Sequence, residues 1–294
     1  MSTLQKALVL GGATGLVGQA LSEVLHASGW EVTTAGRPDL DLKAPHAAAT
    51  LESMMDSVEP HWVFNAMAYT QVDKAEDEPE EAALLNRTLP AMLGRIVKTR
   101  SMGLVHFSTD FVFNGKGTAP YKADDPVDPQ SVYGTTKRGG EEALLALDLD
   151  ACIIIRTAWL FGSGKKNFVS TILNACKDKR QVNVVHDQIG SPTYTVDLAQ
   201  YTLKLVEARA SGIFHIVNSG QASWCELADE AVHLAQIECM VNPVPSSEYP
   251  QKAVRPAYSV LDCKELARIT GISPRPWPQA LRDYIYKEFP PNDS

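Results

Sequence analysis

The chain has 294 residues and a mass of 32.0 kDa, which suits two lobes at roughly 150 residues each. Hydrophobic residues make up 45% and charged residues 21%, the balance of a globular protein, and no apolar run approaches the ~20 residues that cross a bilayer. The 27 basic and 35 acidic residues leave a net charge of −8, which argues against a nucleic-acid partner and requires any anionic ligand to find a local cluster of donors.

The opening stretch, Met1 to Gly12, carries a short apolar run that ends in glycines, so it reads as a strand and not as a signal-peptide core. Lys6–Gly11 is that first strand, and Leu16–Ala27 follows with Val17, Leu21, Val24 and Leu25 at helical spacing. Glu31–Ala35 reads as a second strand, Ala47–Val58 as a helix and His61–Asn65 as a third strand. Glu80–Arg100 reads as a long helix interrupted near Pro90. Gly103–Ser108 is a fourth strand, Tyr133–Leu147 a helix and Ala151–Arg156 an isoleucine-rich strand. Strands separated by 10–20 helical residues imply βαβ units and a parallel, doubly wound sheet. Beyond Ser163 the pattern is less regular. Asn167–Cys176, Thr195–Ala208 and Trp224–Ala235 read as helices, Ile213–Val217 as a strand, and Asn242–Pro256 as an irregular proline-containing segment. Pro274, Pro276 and Pro278 precede a last helix.

The expected fold is therefore α/β, a Rossmann-type sheet with a smaller α/β C-terminal substrate lobe. Residues 1–162 and 193–222 are assigned to the dinucleotide-binding lobe, and 163–192 with 223–294 to the substrate lobe. Cys152, Cys176, Cys225, Cys239 and Cys263 form no CxxC pair and read as five free thiols in a reducing cytosol. No histidine has ligand spacing, so no metal site is expected.

The segment Gly11-Gly12-Ala13-Thr14-Gly15-Leu16-Val17-Gly18 lies between the first strand and the first helix. Glycines there allow a tight turn and close approach of a pyrophosphate to the helix N-terminus. The second strand ends at Ala35-Gly36-Arg37, where an NAD-selective fold places an acid. Arginine pairs with a 2′-phosphate, so NADPH is expected, with NADH as the alternative. Asp39 and Asp41 follow closely enough to keep an acidic contact to the adenosine open.

Tyr133 and Lys137 are four residues apart and share a helix face. The ammonium is expected to lower the tyrosine pKa, making the phenol a proton donor to a carbonyl oxygen. At the end of the fourth strand stand Ser108, Thr109 and Asp110, where ligands of such sheets bind. Thr109 is a donor to a substrate carbonyl, Ser108 the competing hydroxyl, and Asp110 an acceptor for a sugar hydroxyl. His106, inside the strand, reads as a core histidine.

Together these features resemble an extended short-chain dehydrogenase/reductase. Further segments narrow the resemblance to the dTDP-4-dehydrorhamnose reductase family: Asn65 to Glu76 (NAMAYTQVDKAE), Ser108 to Gly115 (STDFVFNG), Arg156 to Gly162 (RTAWLFG), Asp187 to Thr193 (DQIGSPT), and Tyr249-Pro250 with Arg255-Pro256 and Ser259 to Asp262. The resemblance implies NADPH-dependent reduction of the C4 ketone of a dTDP-linked 6-deoxy-sugar. It places the triad on Thr109, Tyr133 and Lys137. It places the cofactor on Gly15, Leu16, Val17, Arg37, Asp41, Leu42, Ala68, Tyr69 and Thr70 as well as Tyr133 and Lys137, beside Gly12 and Gly18 of the glycine turn. The sugar nucleotide falls to Thr109, Asp110, Trp159 and Arg255, the last as partner of the diphosphate. Lys74 is either a helper at the site or part of a solvated helix face.

The chain departs from the family pattern at Phe111, where a tyrosine is common, at Met67, where alanine is common, and at Ala20. Some members carry there a glutamate linked to metal-bridged dimers, so a monomer or weak homodimer is expected. Two other readings remain open. A nucleotide-sugar epimerase or dehydratase shares this fold but returns its hydride, and Asp110-Phe111 lacks the acid pair a dehydratase uses. A regulatory subunit like the β subunit of methionine adenosyltransferase would bind a partner enzyme.

Overall fold

A computed structural model describes residues 4–290. Met1 to Thr3, and residues 291–294 of the expected substrate lobe, lie outside the described residues. The chain begins β1 (Lys6–Leu10), α1 (Leu16–Ala27), β2 (Glu31–Ala35), α2 (Ala47–Val58), β3 (Trp62–Asn65) and α3 (Val72–Ala75). It continues with α4 (Pro79–Ala83), a π-turn at Leu84–Thr88, α5 (Leu89–Arg100), β4 (Gly103–Thr109), α6 (Val132–Leu145) and β5 (Cys152–Thr157). Six strands form one parallel sheet in the order β10-β5-β4-β3-β1-β2, where β10 is Gly212–His215.

Every residue of β4 and β5 is buried, because helices cover both faces of the sheet. Alternate side chains serve different cores. Leu8, Leu10, Val63, Leu104 and Ile154 pack with Leu51, Met55, Leu89 and Leu93 of α2 and α5. Val9, Phe64, Val105 and Ile155 face the other way, toward Leu21 and Leu25 of α1 and Leu198 and Leu203 of the helix at Thr195–Glu207.

The interruption expected at Pro90 lies one turn earlier. Proline cannot donate into the preceding turn, and the π-turn at Leu84–Thr88 absorbs the mismatch while the helical path continues to Arg100.

The later elements are β6 (Leu160–Phe161), α7 (Phe168–Asp178), β7 (Gln181–Val185), β8 (Ile189–Gly190), β9 (Thr193–Tyr194), α8 (Thr195–Glu207), β10 and β11 (Ala222–Ser223). α9 (Trp224–Leu234), β12 (Met240–Val244), α10 (Lys264–Thr270) and α11 (Trp277–Glu288) complete the chain. A separate core joins Val169 and Leu173 of α7 to Leu227 of α9 and Leu281 and Ile285 of α11. The segment from Asn242, expected to be irregular, opens as a strand. β12 runs parallel to β7 as a two-stranded pair, and Pro243 is accommodated because β12 has no second neighbour. This pairing also brings Cys239 to the end of α7, where it forms a disulfide with Cys176 at a Cα–Cα distance of 5.5 Å. The five-thiol expectation is corrected accordingly: Cys152, Cys225 and Cys263 are free. A sequence separation of 63 carries no local signal of such a pair.

Candidate active site

The turn from β1 into α1 is built from backbone. Gly15 is the N-cap of α1, and no side chain caps the helix or places an acid in its first turn. A Cβ on Gly18 would lie 2.1 Å from the Gly11 carbonyl oxygen, so the helix meets the turn closely only as glycine. The first amides of α1 are thus left as donors for an anion, with Leu16 and Val17 half-buried beside them. At the end of β2, Arg37 is exposed and has no hydrogen-bond or ion-pair partner among the described residues. The neighbouring acids are occupied. Asp39 accepts from the Gly36 amide at 2.8 Å, and Asp41 accepts from the Lys43 amide at 2.9 Å. Leu42 packs partly against the core.

The stretch after β3 is clamped by a residue that sequence reasoning passed over. Asn86, fully buried in the π-turn, accepts from the Tyr69 amide at 2.9 Å and donates to the Tyr69 carbonyl and to Thr136 Oγ1, both at 3.1 Å. One side chain thereby fixes Ala68-Tyr69-Thr70 against the middle of α6. A π-turn beside a long helix is the structural signal of a functional position, and it leaves no mark in residue type. Tyr69 Oη donates to Glu78, and Lys74 pairs with the same carboxylate at 2.9 Å, which places Lys74 on a solvated helix face. Met67 is buried, its amide donating to Asn65 Oδ1 at 3.3 Å.

The N-terminus of α6 is held twice. Ser131 Oγ accepts from the Gly134 amide at 3.1 Å, and Glu76 of the NAMAYTQVDKAE stretch accepts from the Val132 amide at 2.9 Å. These caps set the first turn, which carries Tyr133. Phe111 meets the Tyr133 ring edge to face, with centroids 5.4 Å apart at 77°. One turn on, Lys137 is buried and donates to the Phe107 carbonyl of β4. Thr109, at the end of β4, donates to Asp110 Oδ1 at 2.9 Å and accepts from the Phe111 amide at 3.2 Å. Thr109, Asp110, Tyr133 and Lys137 are thus gathered at the carboxyl end of β4.

Burial dominates the electrostatics. It pushes Tyr133 up to about 12, with Asp110 adding to the rise and Thr109 opposing it. The expected lowering by Lys137 does not occur, because the lysine is itself desolvated and committed to a carbonyl, and burial brings it down to about 8. Burial raises Asp110 to about 6. Among the described residues Asp110 Oδ2 and the buried Ser259 Oγ have no hydrogen-bond partner in bonding geometry, and the nearby Ser259 hydroxyl eases the ionisation of Asp110 against the larger effect of burial. Ser108 is not a competing donor, since its hydroxyl is bound to Glu141 at 2.6 Å. His106 is a core residue against Asn65 at 3.1 Å, and burial holds its pKa well below the usual range.

Trp159 lies beside this centre with φ 47°, a left-handed backbone rare for a tryptophan. Its ring stacks on Trp224 with centroids 3.5 Å apart. A Cβ on Gly190 would come within 2.4 Å of the indole, so the glycine of DQIGSPT makes room for the tryptophan of RTAWLFG. Arg255 reaches Phe111, the neighbour of Tyr133. It pairs with Asp73 at 2.6 Å and lies over the Phe111 ring, 5.9 Å from the centroid.

The profile of the RmlD substrate binding domain family matches residues 6–289. The chain belongs to that family. Among RmlD relatives, the Bacillus subtilis spore coat polysaccharide biosynthesis protein SpsK is 41% identical, over 93% of this chain and 95% of its own. A Streptomyces griseus dTDP-4-dehydrorhamnose reductase is 39% identical, over 92% and 90%. The crystal structure of dTDP-4-dehydrorhamnose reductase from Bacillus anthracis in complex with NADP superposes with a TM-score of 0.91 at 29% identity, covering 97% of this chain and all of that one. The RmlD resemblance read from five scattered segments therefore extends over the fold as a whole, and the sheet is Rossmann-type.

Proposed function

We propose that this RmlD-family chain reduces the C4 ketone of dTDP-4-dehydro-L-rhamnose (dTDP-4-dehydro-6-deoxy-L-mannose) to dTDP-L-rhamnose with NADPH. The observation that carries the reading is the convergence of Thr109, Tyr133 and Lys137 at the end of β4, in a sheet whose β1 leads into the uncapped N-terminus of α1 and in a chain 39% identical to a reductase of that name.

The residues present fit the dinucleotide. The turn at Gly12, Gly15 and Gly18 offers amides to a pyrophosphate, and Arg37 offers an uncommitted guanidinium to a 2′-phosphate. When bound, the reduced nicotinamide supplies the hydride that reaches C4. Tyr133 stays protonated through the working pH range and gives its proton to the C4 oxygen. Thr109 donates to the same oxygen once its hydrogen bond to Asp110 is exchanged. Lys137, anchored on Phe107, keeps its other N–H groups for the ribose of the cofactor. Asp110 and Trp159 hold the sugar.

In this reading 1–162 with 193–222 hold the dinucleotide and 163–192 with 223–294 hold the sugar nucleotide. The exception is α10, whose Leu266 packs into the core beneath α8. Ala20 is buried in the same core, which supports a monomer or weak homodimer. The compartment proposed for such a nucleotide-sugar reductase is the cytoplasm. Among the described residues no helix is long and apolar enough to cross a membrane.

The test is a coupled assay from dTDP-glucose with the preceding dehydratase and epimerase. One NADPH oxidised per dTDP-L-rhamnose, identified by NMR, supports the reading. Turnover without net cofactor consumption would assign the chain to the epimerases.

A further inference from the structure

Asp73 and Arg255 are 182 positions apart and meet at the mouth of the site. Asp73 Oδ2 accepts from Arg255 Nη2 at 2.6 Å, and Asp73 Oδ1 accepts from the Ala253 amide at 3.0 Å. A single carboxylate on α3 thus grips both the backbone and the guanidinium of the 251–256 segment. Lys252 adds an ion pair to Asp77. Gln251 Oε1 accepts from Arg255 Nε at 3.0 Å, and the guanidinium plane is supported by Phe111, which itself abuts Tyr133.

An arginine has five N–H donors in a rigid fork. Here Nε and one Nη2 hydrogen are committed, and the remaining donors of Arg255 have no partner among the described residues. Its side chain is only 19% exposed. A half-buried guanidinium, oriented on two sides and open on its remaining edge, suits bidentate recognition of phosphate. The segment also borders a cleft lined by Phe111, Ser131, Val254 and Pro256, and Phe111 is the residue that abuts Tyr133.

We propose that Asp73 is a positioning residue for the nucleotide half of the substrate: it latches the 251–256 segment and aims the open edge of Arg255 at the diphosphate of a nucleoside-diphosphate sugar. The inference rests on the proposed reductase reading. Fixing the arginine before binding removes the ordering cost of a long, flexible side chain, so the latch acts on affinity and not on the chemical step.

The test uses the full chain and dTDP as probe, with Kd measured by calorimetry for wild type, Asp73→Ala, Asp73→Asn, Arg255→Ala and Asp73→Ala/Arg255→Ala. Asp73→Asn keeps an acceptor for the Ala253 amide but turns an NH2 group toward Arg255, so it breaks the guanidinium contact alone and decides the matter if the alanine variant folds poorly. Asp73→Ala is expected to weaken dTDP by about tenfold or more, and Asp73→Asn in the same direction. The double variant should bind no more weakly than Arg255→Ala alone, since the carboxylate acts through the arginine. NADPH affinity and Tm should hold for Asp73→Asn, and turnover should show a raised KM with kcat retained. An unchanged dTDP affinity in Asp73→Asn, or additive losses in the double variant, overturns the inference. If wild type binds dTDP and the variants behave as stated but no ketosugar is reduced, the reaction assignment fails and the latch stands.

Discussion

Glu141 accepts from both Nε and Nη2 of Arg156, at 2.9 and 2.8 Å, with neither side chain reaching solvent. The pair locks α6 to β5, and Ser108 and Arg138 donate further hydrogen bonds to the carboxylate. Arg156 also donates to the Ala123 carbonyl and lies over Phe113. These contacts hold Glu141 ionised, with its pKa lowered despite burial. Arg156→Met removes the partner and leaves the carboxylate buried. We expect a loss of about 3–5 kcal/mol in urea denaturation. A loss within the ~0.5 kcal/mol of an ordinary surface substitution would mean the pair does not join helix to sheet.

Tyr133→Phe tests the proton donor. The phenyl ring keeps its edge contact with Phe111, so the fold and cofactor affinity should survive. Loss of general-acid catalysis is expected to lower kcat by about a hundred- to ten-thousandfold. Turnover at the wild-type rate would remove Tyr133 from the chemistry.

Arg37 tests cofactor choice. Asp39 and Asp41 are turned to backbone amides, and Arg37, exposed at the end of β2 with no partner among the described residues, is placed to meet a 2′-phosphate. Arg37→Asp is expected to raise the KM for NADPH about ten- to a hundredfold and to leave that for NADH unchanged or improved. An unaltered ratio of the two would contradict the assignment.

Asp110 gives stability a pH dependence whose sign can be worked out. Its folded pKa, about 6, exceeds the unfolded value of 3.8. Below the unfolded value both states are protonated and nothing is lost. Between the two values the unfolded chain releases its proton first, so stability falls as pH rises, and it levels above the folded value. Asp110→Asn should abolish that fall. Thermal melts should show the variant more stable than wild type at pH 7.5 and no more stable at pH 4. Equal melting temperatures at both would show that the carboxyl is not desolvated.

The sheet was legible because β1, β4 and β5 each carry a short apolar core, Ala7–Leu10, Leu104-Val105 with Phe107, and Ile153–Ile155, with helical stretches between them. The triad was legible because its spacing is local, within one helix and one strand end. What stayed hidden depends on contacts between distant segments. Nothing in the spacing of Glu76 and Asp73 points to their partners, the Val132 amide for one and Arg255 for the other. Asn86 acts through the backbone of another loop, and the Cys176–Cys239 pair depends on the β7–β12 register. The tyrosine pKa was read with the wrong sign because spacing shows the nearness of an ammonium and not the desolvation of both groups.

The central claim is a direct transfer of hydride from the dinucleotide to C4 with the proton supplied by Tyr133. The most direct measurement is turnover of the 4-keto sugar nucleotide with NADPH deuterated at the transferring position of nicotinamide C4, followed by NMR of the product. The account predicts deuterium at C4 of the deoxysugar, with one equivalent of NADP+ formed per product. Deuterium found elsewhere, or returned to the cofactor with no net oxidation, would contradict it.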